Sequence, residues 1–313
     1  MKKEKAYLLG LDGGGTKTMV CVADEEGNIL ERFESGAFNM NGQSREKALQ
    51  TLRDIYIRLK MLGYKINKCR GVGIGAAGIS NPAVSQILKE AFKQEGFLCR
   101  IGLFGDHETA LAAAFPECRG IVLISGTGSI CIGRDAWGRQ YRAGGYGHLI
   151  DDVGSAYAIA RDMLSAVVRA EDGRAESTLL KKLVFEKLNI RKTEDLLGFL
   201  YQPGRSKKEV ASLAPLISQA AAYGDRSAME IERKSARDLA DLVIAVSGNM
   251  PEEKHLALSG SVLLHNLHIR KLVCSCLETY DSSMEIIINY GEAAAGALRL
   301  FQLTDKACSE GER

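Results

Sequence analysis

The residues with chemistry to offer are three glycine turns and four carboxylates. The first turn is Asp12-Gly13-Gly14-Gly15-Thr16-Lys17-Thr18, set between two apolar runs. Glycine loses the most backbone freedom on ordering, so a triplet here weakens a strand and calls for a compensating role. A bare backbone lets N–H groups approach anionic oxygens, and Thr16 and Lys17 add a hydroxyl and a positive charge. The run suits a phosphate-binding hairpin, with an ordinary tight hairpin as the plain alternative. It is not a P-loop, because GxxxxGK[ST] is absent and the turn joins strand to strand. The second turn, Ser125-Gly126-Thr127-Gly128-Ser129, holds the same place in the second half of the chain. Two such turns facing each other would pinch a polyphosphate. The third, Ser259-Gly260-Ser261, lies at a strand end before a helix. Adenosine could rest on its backbone, and a plain strand-to-helix turn explains it equally.

Asp12, at a strand end, suits a hydrated Mg²⁺. Asp106 ends one apolar strand and begins a helix, which predicts N-cap duty and is compatible with catalysis at a cleft. Asp152 follows the glycine-rich stretch Gly144-Gly145-Tyr146-Gly147, a loop poor at packing and good at presenting backbone to a small polar ligand. Asp151 beside it reads as solvated. His148 reads as structural rather than as a ligand contact. Asn39 lies in the loop between the third strand and the first long helix, with Asn41 the better turn former.

These residues need elements to position them. Apolar runs at 6–11 and 18–23, joined by the first turn, predict an antiparallel pair, with a third strand after Gly27. Residues 45–63 have helical spacing and end in glycine. A buried strand at Cys69–Ile79, a helix opened by Pro82, a strand to Asp106 and a helix from there complete the first half. The second half opens with strand, glycine turn, strand again, which predicts a duplicated core. Residues 155–247 read as helical, 255–266 as strand, turn and helix start, and 284–303 as a strand and a small-residue helix, with a frayed tail.

The 313 residues predict two domains, since single cores rarely grow beyond roughly 250–300 residues. A net charge of +2 gives no support for a nucleic-acid groove or an anionic membrane surface. The apolar runs are strand-length, against about 20 residues for a membrane span, and the N-terminal run breaks at Asp12, unlike a signal peptide. The eight cysteines include no CxxC pair, and most lie in apolar segments. That predicts a reducing cytoplasm, with no disulfide framework and no zinc site.

Taken together, "GLDGGGTKT" (10–18), "FGDHETALAAAF" (104–115), "VLISGTGSICIGRDAWG" (122–138), "GGYGHLIDDVGSAYAIARDML" (144–164), "LALSGSV" and "GEAAAGAL" resemble the actin-like ATPase superfamily of sugar kinases, actin and heat-shock chaperones. Within it they resemble the N-acetylglucosamine kinase-like branch of the BadF/BadG/BcrA/BcrD ATPase family. The resemblance implies an α/β fold of two ribonuclease-H-like domains flanking a central cleft. The expected domains are 1–116, rejoined by a C-terminal helix at about 291–304, and 117–290. It implies ATP and Mg²⁺, and Asp106 as catalytic base. Asn39, Asp106, Thr127, Gly144, Gly145, Tyr146 and Asp152 match sugar contacts. Gly13 to Thr18 and Gly126 to Ser129 match the phosphate turns, Gly260 and Ser261 the adenosine contact, and Asp12 the metal carboxylate. A homodimer is common in the branch.

The expected reaction is phosphorylation of an N-acetylated amino sugar, N-acetylglucosamine at its 6-hydroxyl, with Asp106 accepting the hydroxyl proton. N-acetylmuramic acid and glucosamine are rival substrates. The branch often has tryptophan where this chain has Tyr146, and Gly-Asp-Glu-Gly where it has Asp151-Asp152-Val153-Gly154. The second departure removes one hydroxyl acceptor. Two other classes stand as alternatives. One is an ATPase activator of an acyl-CoA dehydratase or reductase, whose relatives carry a cluster cysteine near an ATP loop; Cys131 follows the second turn, with no second cysteine nearby. The other is a non-catalytic sugar sensor, disfavoured by the intact Asp12, Asp106 and turns.

Overall fold

The computed structural model describes residues 5–14, 17–38, 45–76, 79 and 82–311. Gly15, Thr16 and Asn39 therefore lie outside the described residues. The chain divides into two compact units, Met1–Arg119 with Tyr290–Arg313, and Gly120–Asn289.

Unit 1 begins with three antiparallel strands, β1 (Tyr7–Gly13), β2 (Thr18–Ala23) and β3 (Ile29–Ser35). Helix α1 (Arg45–Met61), a single 3₁₀ turn, β4 (Cys69–Ala76), α2 (Pro82–Gln94), β5 (Arg100–Phe104) and α3 (Asp106–Ala114) follow. The sheet order is β3-β2-β1-β4-β5, with β4 and β5 parallel to β1. Alternation along β1 sends Leu9 and Leu11 to one face, where they pack with Leu52, Ile55, Leu88 and Phe92 of α1 and α2. Leu8 goes to the other face, with Ala294, Leu298 and Phe301 of the last helix. Each such leucine stabilises the fold by about 1.5–3 kcal/mol on full burial.

Unit 2 repeats the plan. Strands β6 (Gly120–Ser125), β7 (Ser129–Arg134) and β8 (Gln140–Gly144) form the antiparallel half. Six helices follow: α4 (Ala156–Glu171), α5 (Leu179–Leu188), α6 (Asp195–Leu200), α7 (Lys207–Ala211), α8 (Leu216–Ala222) and α9 (Arg226–Ser247). Then come β9 (His255–Ser259), α10 (Ser261–His265), α11 (Leu267–Tyr280) and β10 (Glu285–Ile288). The sheet order β10-β9-β6-β7-β8 is that of unit 1 strand for strand, so the repeat of strand, glycine turn and strand marks a duplicated topology. This is the two-domain α/β fold with two five-stranded sheets.

The final helix, α12 (Ala293–Gly311), belongs to unit 1. It lies so close to the sheet that a Cβ on Gly10 would stand 2.1 Å from the Ala294 carbonyl oxygen. The expected frayed tail is instead helical to Gly311: no proline interrupts it, and Asp305 pairs with Arg100 of β5. Among the described residues, no helix is long and apolar enough to cross a membrane.

Candidate active site

In unit 1 the two candidate carboxylates lie at the carboxyl ends of parallel strands, where open α/β sheets bind ligands. Asp12 is the penultimate residue of β1, between Met19 of β2 and Gly75 of β4. It is half-buried, and burial together with the nearby charge of Asp106 raises its carboxyl from an ordinary 3.8 to about 6. Asp106 follows β5 by two residues. Its side chain is 59% exposed, and its Oδ1 accepts from the His107 backbone N–H at 3.0 Å and faces His107 Nδ1 at 3.3 Å. Desolvation by its neighbours pushes the Asp106 carboxyl up, but His107 outweighs this and holds it below the ordinary range. The pair therefore contains one open, ionised carboxylate and one whose ionisation is costly.

The expectation that Asp106 caps α3 is corrected. The N-cap is Gly105, and Glu108 closes the capping box by accepting from the Gly105 N–H at 2.8 Å. Asp106 is the first helical residue, and its carboxylate is not spent on the cap.

The first turn is partly described. The Gly14 N–H donates to the Lys17 carbonyl at 3.0 Å, closing the hairpin. Two residues expected to bind phosphate are engaged elsewhere. Lys17 pairs with Glu34 of β3. Thr18 is fully buried, and its hydroxyl donates to the Gly36 carbonyl at 2.7 Å. It shapes the turn from behind rather than presenting a hydroxyl.

In unit 2 the second and third turns meet. They follow the neighbouring parallel strands β6 and β9. Gly260, at φ +89°, packs so closely that a Cβ would lie 2.3 Å from the Ser125 carbonyl oxygen. The Gly126 N–H donates to the Gly128 carbonyl at 2.9 Å, and the first turn of α4 donates to the turn through Ala156 N–H to the Gly126 carbonyl at 2.8 Å. A Cβ on Gly126 would find nothing nearer than Ser261 Oγ at 3.9 Å, so space beside this turn is open. That space leads to a cavity of about 440 Å³ whose lining includes Thr127, Ser261, Lys208, Ser212, Pro215 and Asn266. Helices α7 and α8 supply a wall that no motif announced, because their sequences read as ordinary amphipathic helix.

Asp152 is buried rather than presented on an open loop. It adopts φ +58°, its Oδ1 accepts from the Ser129 N–H at 3.3 Å, and a Cβ on Gly128 would stand 2.8 Å from its Oδ2. It braces the second turn, as does Ser129, whose hydroxyl donates to the Val153 carbonyl at 2.6 Å. Asp151 is not merely solvated: it accepts from the Tyr146 N–H at 3.0 Å. Gly144 and Gly145, both at φ +76°, are held by Arg142, which donates to their carbonyls and stacks on Tyr146 with 4.5 Å to the ring centroid. His148 packs edge-on against Tyr157 at 4.6 Å, a structural contact as expected. Cys131 is fully buried, and burial pushes its thiol well up, which does not suit a cluster ligand.

The chain is similar to an N-acetylmuramic acid/N-acetylglucosamine kinase of Clostridium acetobutylicum, with 32% identity over 93% of this chain and 97% of the relative. It is 31% identical to an N-acetyl-D-glucosamine kinase of Dictyostelium discoideum over 77% of this chain and 79% of that one. A crystal structure from Chromobacterium violaceum, described as a candidate N-acetylglucosamine kinase, matches with a TM-score of 0.77 and 25% identity, covering 95% of this chain and 99% of that one. The BadF/BadG/BcrA/BcrD ATPase family matches residues 9–300. With nearly its whole length matched, the chain belongs to the BadF/BadG/BcrA/BcrD ATPase family.

Proposed function

We propose that the protein is an ATP-dependent kinase of an N-acetylated amino sugar, with N-acetylglucosamine phosphorylated at its 6-hydroxyl. The observation that carries this reading is the carboxylate pair of unit 1. Asp106 is open and ionised, as a proton acceptor must be, and stands near Asp12, whose ionisation it opposes. Both N-acetylglucosamine kinase relatives support the substrate class.

In this reading the acceptor hydroxyl donates a hydrogen bond to Asp106. As its oxygen bonds to the γ-phosphorus and the bond to the ADP oxygen breaks, the proton passes to the carboxylate. Unit 2 holds the nucleotide: the backbone of Gly126–Ser129 takes the phosphates, and Ser261 and the adjoining cavity take the adenosine. Gly13 and Gly14 are assigned to the phosphates as the bare backbone of the first turn. Asp12 fits a hydrated Mg²⁺, because a cation would offset the burial and the nearby Asp106 charge that together raise its carboxyl. Among the described residues there is no cluster of three or more metal-binding side chains. One or two carboxylates with water and phosphate oxygens is the usual Mg²⁺ arrangement. When bound, Mg²⁺ neutralises charge on the phosphate oxygens. Asn39, Gly144, Gly145, Tyr146 and Asp152 are assigned to the sugar, Asp152 by also ordering the second turn.

A second reading, N-acetylmuramic acid as acceptor, is favoured by Arg142. Its guanidinium lies over Tyr146 beside the Gly144–Gly145 loop and offers a cation to a lactyl carboxylate. Coupled ADP release across N-acetylglucosamine, N-acetylmuramic acid, glucosamine and glucose separates these readings. Stimulation by an N-acetylated sugar and not by glucose is expected, with Mg²⁺ required. Equal ADP release with and without any sugar would leave a stand-alone ATPase. A cytoplasmic homodimer completes the proposal; light scattering at 34.0 kDa rather than twice that mass would remove the dimer.

A further inference from the structure

Cys69 and Cys99 stand at the amino ends of neighbouring parallel strands. Cys69 is the first residue of β4, and Cys99 immediately precedes β5. The pairing of Gly71 with Arg100 leaves Cys99 one residue out of step with Cys69. Strands about 4.8 Å apart, with about 3.3 Å per residue, then separate the two Cα atoms by about 6 Å. A disulfide bridges Cα separations of about 4.4–6.8 Å, most often about 5.5–6 Å. The sulfurs themselves already meet: Cys99 Sγ lies 3.7 Å from Cys69 Sγ. The two residues are 30 positions apart, so no local motif announces the pair.

The two thiols differ in access. Cys69 is buried, with its Sγ 3.5 Å from the Gly71 carbonyl oxygen. Cys99 is half-buried and lines a surface cavity of about 560 Å³, together with Lys89 and Lys93 of α2 and Arg100 of β5. A hydrogen bond from Cys69 favours the Cys99 thiolate and holds its thiol below the ordinary range, while the Cys69 thiol is raised. The thiolate is the reactive form. A reagent arriving from solvent therefore meets Cys99 first, and Cys69 is reached through Cys99.

We propose that Cys69 and Cys99 form a reversible oxidation site, in which Cys99 reacts with a peroxide and Cys69 resolves the product as a disulfide between β4 and β5. The Cys99 thiolate attacks one peroxide oxygen, the O–O bond breaks, and hydroxide leaves, giving a sulfenic acid. The Cys69 sulfur then attacks the Cys99 sulfur, the S–O bond breaks, and the departing hydroxide takes the Cys69 proton as water. Two thiols lose two electrons in all, and hydrogen peroxide is reduced to two waters. A thiol reductant reverses the bond by exchange. In a reducing compartment the pair rests as two thiols, and the bond forms only under oxidant. Its effect is protective, because a sulfenic acid captured as a disulfide cannot go on to the irreversible sulfinic acid. Asp12 and Asp106 lie at the opposite, carboxyl ends of these strands, so the site is separate from the candidate active site.

The test treats the full-length, reduced protein with hydrogen peroxide, blocks the remaining thiols, and maps peptides by mass spectrometry without reductant. The Cys69 and Cys99 peptides should appear joined, lighter by two hydrogens, and should separate on adding dithiothreitol. In Cys69→Ser, which lacks the resolving thiol, sulfinic acid on Cys99 should accumulate about tenfold above wild type, and dimedone should trap the sulfenic acid before it. In Cys99→Ser, Cys69 should stay reduced. Wild-type protein in which Cys99 passes to sulfinic acid while Cys69 remains a free thiol would overturn the proposal. So would a Cys69→Ser protein with no more sulfinic acid than wild type. The joined wild-type peptide decides the matter even if either variant folds poorly.

Discussion

Asp12 carries a measurable cost. Burial, and then the charge of Asp106, raise its carboxyl from 3.8 to about 6. A carboxyl raised in the folded state favours folding fully below its unfolded value of about 4, and that stability is lost as pH rises through the folded value. The two-unit difference corresponds to about 3 kcal/mol at pH 8, taking about 1.4 kcal/mol per unit. Asp12→Asn abolishes the titration. Without Mg²⁺, the variant should therefore melt higher than wild type at pH 8 by several degrees, using about 2–4 °C per kcal/mol for a unit of this size. The difference should shrink as pH falls from 6 toward 4, where wild-type Asp12 is itself neutral. Added Mg²⁺ should stabilise the wild type at pH 8 and stabilise Asp12→Asn much less, since the cation offsets a charge the variant lacks. Scanning calorimetry from pH 4 to 8, with and without Mg²⁺, reads all of this. An Asp12→Asn curve parallel to wild type across that range, or a lower melting temperature at pH 8, would show that ionised Asp12 carries no such cost.

Asp106→Asn should keep its melting temperature, because Gly105 and Glu108 make the cap, yet lose at least about a hundredfold in kcat by steady-state kinetics. Gly126→Val should lose ATP affinity by calorimetry with its fold intact, since the new side chain has open space beside Ser261. Gly128→Val should instead lower the melting temperature, because its Cβ would meet the Asp152 carboxylate at 2.8 Å. Cys99 should alkylate with iodoacetamide before the similarly half-buried Cys274, as followed by mass spectrometry. The sulfur contact with Cys69 at 3.7 Å lowers the Cys99 thiol, whereas burial raises that of Cys274.

What the sequence displayed best was local. A strand, glycine turn and strand are contiguous, so the duplication and both antiparallel halves were legible before the sheets were seen. Asp12 and Asp106 stood out because each ends an apolar strand. What escaped depends on distant neighbours. Lys17 pairs with Glu34, and Thr18 with Gly36, across a sheet that sequence alone cannot register. Asp152 lies in a run of glycines and reads as exposed, yet its left-handed backbone folds it under the second turn. Asp106 was misread as a cap because an aspartate at N1 and one at the N-cap differ by a single residue of backbone conformation. The cavity wall from α7 and α8, and the buried Glu232 within the charged helix α9, have no local signature. A buried acid in such a helix is distinguished only by its partners, Asn266 and His268, which lie more than thirty residues away.

A sugar kinase must pass the γ-phosphate of ATP to a sugar hydroxyl and not to water. Incubating the protein with ATP, Mg²⁺ and N-acetylglucosamine, and resolving the products by ³¹P and ¹H correlation spectroscopy, tests it directly. One N-acetylglucosamine 6-phosphate for each ADP formed is expected. ADP accompanied by inorganic phosphate, with the sugar unchanged, would contradict it.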